Sequence, residues 1–208
     1  MCRPGTVRVG YVGQAMNDVD CKLSEDGEVQ IRSPGNTLGY YLDPDKTREL
    51  FTDDGYVRTG DRGPIDEMGR LKITGRAKEI FKTSKGKYVA PAPIENKLLA
   101  HPAVEACCVT GASRPRPFGL LMLAPQALDS AANGADRANL TESLEEHVAK
   151  VNAELDPHEQ LQFVVVVSDE WDVENDFLTP TLKIKRDVID AAYGPQIEGW
   201  YSAKRKVI

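Results

Sequence analysis

Two short stretches carry side chains that could grip a small polar ligand: Tyr56-Val57-Arg58-Thr59-Gly60-Asp61 and Thr74-Gly75-Arg76-Ala77-Lys78-Glu79. In each, a glycine sits beside a charged residue. The intervening Ile65-Asp66-Glu67-Met68-Gly69-Arg70-Leu71-Lys72-Ile73 reads as a turn and a strand, which places Asp61 and Arg76 at the ends of adjacent short strands. A carboxylate and a guanidinium so placed suit a vicinal diol such as ribose. The carboxylate accepts from both hydroxyls, and the guanidinium fork donates to neighbouring oxygens. Taken alone, Thr-Gly-Asp is most simply a turn whose side chains bond their own backbone. Such a motif gains weight only in company.

A third segment, Asn175-Asp176-Phe177-Leu178-Thr179-Pro180-Thr181-Leu182-Lys183-Ile184-Lys185-Arg186, is polar and extended and ends in lysines before a helix. An ammonium on a flexible stem suits contact with phosphate or carboxylate. By itself the segment reads more simply as a solvated basic patch before a helix.

The elements that must position these groups follow from pattern. Residues 6–12 and 19–23 read as strands, and Glu25-Asp26-Gly27 is a hairpin turn before the alternating Glu28-Val29-Gln30-Ile31-Arg32. Asp43 is the N-cap and Pro44 the first residue of a helix running through Phe51, and Thr52-Asp53-Asp54-Gly55 is a turn. Up to residue 77 the chain is strand-rich and too thin in apolar stretches to bury a full core.

Beyond Lys78 the pattern changes. Residues 79–83 and 87–90 flank a polar loop, Ser84-Lys85-Gly86, and Pro91-Ala92-Pro93 starts a helix through Leu99. Strands are expected over 104–110, 118–123 and 163–167. Leu140, Leu144, Val148, Val151 and Leu155 fall at helical spacing behind an Asn139/Glu142 capping box. Residues 126–137, rich in Ala, Asn and Gly, read as a surface loop. A last helix covers 186–193 and resumes beyond Gly194-Pro195. This half is a self-sufficient α+β domain.

The totals exclude several classes. The chain has 208 residues, with 26 Lys+Arg against 32 Asp+Glu and a net charge of -6, which argues against nucleic acid as the main partner. Cys2, Cys21, Cys107 and Cys108 show no metal-ligand spacing, and no metal site is expected among these residues. The cysteines read as buried reduced thiols, which implies a cytosolic compartment. No stretch approaches the roughly 20 apolar residues of a membrane span, and the opening Met1-Cys2-Arg3-Pro4-Gly5 lacks a signal-peptide core. That opening runs straight into strand-like sequence, which suggests a chain cut from a longer one. Lys204-Arg205-Lys206 could touch anionic lipid, but only peripherally, at about 1 kcal/mol per charge. His101 reads as a helix end, His147 as a surface residue, and Trp171, Trp200 and Tyr201 as packing residues.

Together the three segments resemble the C-terminal part of the AMP-forming acyl-CoA synthetases, in the adenylate-forming superfamily that includes luciferases and peptide-synthetase adenylation domains. The wording Ala90-Pro91-Ala92-Pro93-Ile94-Glu95-Asn96 and Leu178-Thr179-Pro180-Thr181-Leu182-Lys183 resembles the long-chain fatty acyl-CoA synthetase branch. The resemblance runs from Gly27-Glu28-Val29 to Trp200-Tyr201. It implies an α+β fold in two parts: residues 1–77, the strand-rich end of a large AMP-binding domain, and residues 78–208, a mobile small domain with a short central sheet flanked by helices.

The resemblance also implies roles. Thr59, Asp61 and Arg76 would bind the nucleotide, with Asp61 on the ribose hydroxyls, and Lys78 would be the hinge. Lys183 would bridge the substrate carboxylate and the α-phosphate. Lys82 and Gly86 fall on the CoA side, although Lys85-Gly86 stands where the branch has a Gly pair, and Lys82 reads equally as a solvated lysine. The implied substrates are ATP (giving AMP), a fatty acid and CoA. The phosphate loop and the ligand for Mg2+ would lie upstream, in the rest of the N-terminal domain, so the 208 residues alone are expected to be inactive. Two other readings stay open: an enzyme that loads a carrier protein, and a non-catalytic nucleotide-binding or interaction module.

Overall fold

The alternating Glu28–Arg32 strand lies inside the first sheet, and the elements of the first unit are laid around it. A computed structural model describes residues 7–131 and 134–208, and the chain divides into two units, Met1–Ile80 and Phe81–Ile208. The first holds β1 (Gly13–Gln14), β2 (Asp20–Leu23), β3 (Glu28–Arg32), α1 (Pro44–Leu50), β4 (Val57–Arg62), β5 (Arg70–Leu71) and β6 (Gly75–Arg76). Four strands form an antiparallel sheet in the order β2-β3-β4-β6, and β1 pairs with β5. Gly27, at φ +82°, turns β2 into β3, a backbone region that glycine occupies without a Cβ penalty. Asp43 caps α1, its carboxylate accepting from the Lys46 N–H at 3.0 Å, with Pro44 in the first turn.

Among the described residues of this unit, Val29 and Tyr56 are the buried hydrophobic side chains, while Leu38, Tyr41 and Leu42 stand exposed. Tyr56 is held by its polar rim. Its hydroxyl donates to Asp20, and the Lys22 ammonium and Arg32 guanidinium lie 4.2 and 4.4 Å from its ring centre. Residues 7–12 do not form the expected strand. Gly10 has φ +85°, and the Tyr11 N–H closes a turn on the Arg8 carbonyl at 3.1 Å. Pairing begins at Gly13; Thr6 and Cys2 lie outside the described residues.

The second unit opens with the hairpin β7 (Phe81–Lys82) and β8 (Tyr88–Val89), then α2 (Pro91–Leu98). Its sheet has the order β11-β10-β9, from β9 (Val104–Thr110), β10 (Phe118–Leu123) and β11 (Val164–Val167), with β9 antiparallel and β11 parallel to β10. All six residues of β10 are buried, because both faces of the sheet are covered. Successive side chains point to opposite faces. Cys107, Val109, Leu121 and Val164 therefore join one core with α2 and α4 (Gly134–Ala153). Cys108, Phe118, Leu120 and Val165 join another with Trp171 and α5 (Arg186–Tyr193). A 3₁₀ turn, Gly194–Gln196, leads into α6 (Ile197–Ser202), whose Trp200 and Tyr201 pack edge-on against Phe118. Burial pushes the Cys107 and Cys108 thiols up, Cys108 to about 12, so both are held protonated. Cys21, by contrast, is only half-buried.

Three expectations are corrected here. Residues 126–137 are not a loop: α3 (Pro125–Ala131) starts on Pro125, and helix resumes at Gly134. The alanines that suggested a small-residue loop are the best helix formers; residues 132 and 133 lie outside the described residues. Asn139 is consequently inside α4 rather than capping it, and the Thr141 hydroxyl donates back to the Arg137 carbonyl at 2.9 Å. His147 is half-buried, its Nε2 bonded to the Lys97 carbonyl at 2.9 Å, and its ring lies 5.2 Å from that of His101.

His101 is buried. Its Nδ1 accepts from the Ala103 N–H at 3.2 Å and its Nε2 meets the Ser143 hydroxyl at 3.0 Å, an arrangement that fits the neutral ring. Burial, then His147, lowers its pKa below the ordinary 6.5. The neutral form is thus favoured by folding, and the stabilisation is complete above pH 6.5 and lost as pH falls through that value toward the lowered one. Urea melts at stepped pH should show this loss in the native chain, and His101→Gln should flatten the slope below pH 6.5.

Candidate functional site

The register of β4 against β6 sets Asp61 directly opposite Arg76. The Arg76 Nε lies 3.0 Å from Asp61 Oδ1 in an ion pair, with the side chains 56% and 33% exposed. Among the described residues Asp61 Oδ2 has no protein partner. A half-exposed carboxylate thus offers one free oxygen beside a guanidinium, which is the donor and acceptor set a diol requires.

Backbone features hold that pair. Gly60 has φ +73°; its N–H donates to Glu28 Oε1 at 3.1 Å, and its carbonyl accepts from the Ala77 N–H at 2.7 Å. Gly63 permits a close approach, since a Cβ there would lie 1.7 Å from the Lys72 carbonyl oxygen. The Thr59 hydroxyl donates to the Val29 carbonyl at 2.7 Å and accepts from the Asp61 N–H at 3.1 Å. Thr59 therefore shapes the Asp61 turn from within. Glu28, which pattern reading passed over, is 12% exposed and also pairs with Arg58 at 3.3 Å. Lys78 is exposed in the turn after β6, where the Glu79 N–H reaches the Arg76 carbonyl at 3.1 Å.

In the second unit, the segment expected to be extended is folded into a turn. Leu178 and Ile184 form an antiparallel bridge, the Thr179 N–H donates to the Lys183 carbonyl at 2.8 Å, and the Lys183 N–H donates to Thr179 Oγ1 at 3.1 Å. Leu182 takes φ +58° at the tip and is 72% exposed. Phe177, Leu178 and Ile184 pack on the Trp171 core, and Lys185 pairs with Asp176 at the base. Lys183 is exposed, and its ammonium has no partner among the described residues. On the β7–β8 hairpin, Gly86 has φ +76° and the Lys82 ammonium lies 5.5 Å from the Tyr88 ring centre.

The largest surprise lies beneath this turn. Arg186, the first residue of α5, meets Glu95 of α2 at 2.6 Å, with side chains 19% and 10% exposed. The Glu95 Oε1 accepts from the Val109 N–H at 2.7 Å, and Arg186 donates to the Val109 carbonyl at 3.3 Å. A signal was present in the chain: Pro91, Ile94, Glu95 and Leu98 share the buried stripe of α2, so a charge at 95 demands a partner. Among the described residues, no cluster of three His, Cys, Asp or Glu side chains is placed to hold a metal ion, and no helix is long and apolar enough to cross a membrane.

Residues 78–205 match the family described as the AMP-binding enzyme C-terminal domain. Over 94% of its length the chain is 31% identical to the long-chain-fatty-acid–CoA ligase FadD15 of Mycobacterium tuberculosis, spanning 34% of that protein. It is 33% identical to long-chain-fatty-acid–CoA ligase 6 of Homo sapiens, over 96% of this chain and 32% of that one. The chain thus spans about a third of the length of the curated relatives it matches. The adenylation domain of a carboxylate reductase from Mycobacterium chelonae superposes on 85% of the chain with a TM-score of 0.75 and 28% identity, covering 28% of that domain's chain. An anthranilate CoA ligase solved with anthranoyl-AMP aligns at 0.68 with 26% identity, over 91% of this chain and 36% of that one.

Glu95→Gln would leave the Arg186 charge buried with a weakened partner. An urea or guanidinium melt is expected to show a loss of about 3 kcal/mol; a change below about 0.5 kcal/mol would mean that the pair is solvated.

Proposed function

The chain belongs to the AMP-binding enzyme C-terminal domain family, and from that premise we propose that it is the end of an ATP-dependent long-chain fatty acid–CoA ligase. In this reading residues 1–77 close the large nucleotide-binding domain, residues 78–208 form the small mobile domain, and Lys78 is the hinge. The observation that carries it is the half-exposed Asp61–Arg76 pair with its free Oδ2, a ready receptor for the ribose of ATP and of the acyl-adenylate.

In the first half-reaction a carboxylate oxygen attacks the α-phosphorus, the bond to the bridging oxygen of the β-phosphate breaks, and pyrophosphate leaves. Two anions must meet for this to happen. Lys183, held at the surface on a fixed turn with its ammonium unpaired, is the group proposed to sit between them and offset the charge that develops. In the second half-reaction the CoA thiol attacks the acyl carbonyl, its proton is released, and AMP departs. That step is assigned to a different face of the small domain, the Lys82–Gly86 hairpin, reached by rotation about Lys78. Magnesium on the polyphosphate would screen its charge; none of the residues placed here is assigned to hold it.

A second acceptor is supported by one finding. A carboxylate reductase adenylation domain is as well matched in fold as the CoA ligases, so a phosphopantetheinyl carrier protein could take the place of free CoA. The curated relatives favour CoA.

The test is made in the longer enzyme that carries these residues. Lys183→Ala should lower fatty-acid-dependent pyrophosphate exchange by about 10²- to 10³-fold, while thioester formation from added acyl-adenylate falls less than about tenfold. Equal losses in both steps would remove Lys183 from its role. The 208 residues alone should form no thioester from ATP, palmitate and CoA, and normal turnover by them would overturn the two-part assignment.

A further inference from the structure

A cleft in the second unit shares no residue with the Lys183 turn or the β7–β8 hairpin, and we propose that it binds the anion of a single-chain fatty acid. It has a volume of about 810 Å³ and lies between α3, α4, the ends of β10 and β11, and the C-terminal segment. That volume falls within the roughly 300–1,000 Å³ of sites that enclose one small molecule.

Its floor is apolar. Leu140, Val166 and Val207 line it and pack from the other side on the α2–α4 core, with Leu128 at one wall. Its rim is cationic. Arg137, Lys204, Arg205 and Lys206 all line the mouth, against one acidic side chain, Glu145. Arg137, Lys204 and Arg205 have no ion-pair partner among the described residues, while the Lys206 ammonium donates to the Gln162 carbonyl at 3.3 Å.

The rim is also fixed in place. The Lys206 carbonyl accepts from the Val164 N–H at 2.9 Å, and Ile208 exchanges bonds with Val166 and Val164 at 2.8 and 3.0 Å. Residues 206–208 therefore run as a short strand along β11, and Lys206, the last of the three basic residues, is presented at the opening by a hydrogen-bonded backbone. A chain with a net charge of -6 concentrates unpaired cations around an apolar pit. The complement is an alkyl tail with an anionic head. The concave shape favours one inserted chain over a bilayer surface, and the guanidinium forks of Arg137 and Arg205 match a carboxylate.

The inference is independent of the ligase reading and is tested without ATP or CoA. The 208-residue chain, methyl-labelled for NMR and titrated with dodecanoate below its micelle concentration, should show saturable shifts centred on the methyls of Leu128, Leu140, Val166 and Val207. Shortening to decanoate should weaken binding by up to about fourfold per methylene. The double variant Arg137→Glu/Arg205→Glu changes exposed side chains only; it should melt as the parent does and raise the dissociation constant at least tenfold. Dodecyltrimethylammonium should not bind. Lys183→Ala should bind dodecanoate normally even where it fails in adenylation, which separates this site from the proposed reaction. Absent saturation, shifts centred elsewhere, equal binding of the cationic amphiphile, or unchanged affinity in the double variant would each overturn the proposal.

Discussion

A glutamate and an arginine 91 residues apart hold the second unit in register. Burying such a pair costs desolvation energy that mutual attraction offsets only when the remaining polar groups are bonded. Here they are: the main-chain N–H and carbonyl of Val109 take up Glu95 and Arg186 respectively. One interaction thereby ties α2 to β9 and fixes the first turn of α5. The Thr179–Lys183 turn immediately precedes that helix, so the position of the exposed lysine is set by a contact it does not make.

The first unit uses a different device. Its apolar core is slight, with Val29 and Tyr56 its buried hydrophobics among the described residues, and its order comes from strand pairing and polar clamps. Glu28 holds the Gly60 amide, Thr59 ties the Asp61 amide to β3, and Gly63 lets the 72–74 backbone approach. Each fixes backbone around a carboxylate that is itself left half-open.

Much of this was readable along the chain. The alternation of 28–32, the Asp43 cap and the opposed Cys107 and Cys108 depend on local periodicity, and the strand ends that bring Asp61 to Arg76 depend on two glycine turns. Motifs in order and at compatible spacing also point to the family. What stayed hidden depends on distance or on competition. The Glu95–Arg186 pair joins elements far apart, although its buried stripe position was a usable clue. Residues 126–137 looked like loop because small residues suit both loops and helices, and the helical propensity of alanine decided. The mid-helix position of Asn139 follows from that same choice. The strand role of residues 206–208 was masked by three charges in a row, the last of which, Lys206, pairs its backbone with β11 while its side chain reaches solvent.

That last strand has a consequence for how the protein avoids sticking to itself. Val164–Val167 is four consecutive valines at the rim of a sheet, a sequence well suited to recruit another chain's strand if left bare. Val207 and Ile208 cover that rim, and at the opposite rim Glu95 and Arg186 occupy the groups of Val109. The lysines and arginine just before Val207 act as gatekeepers against stacking of the kind that seeds fibrils.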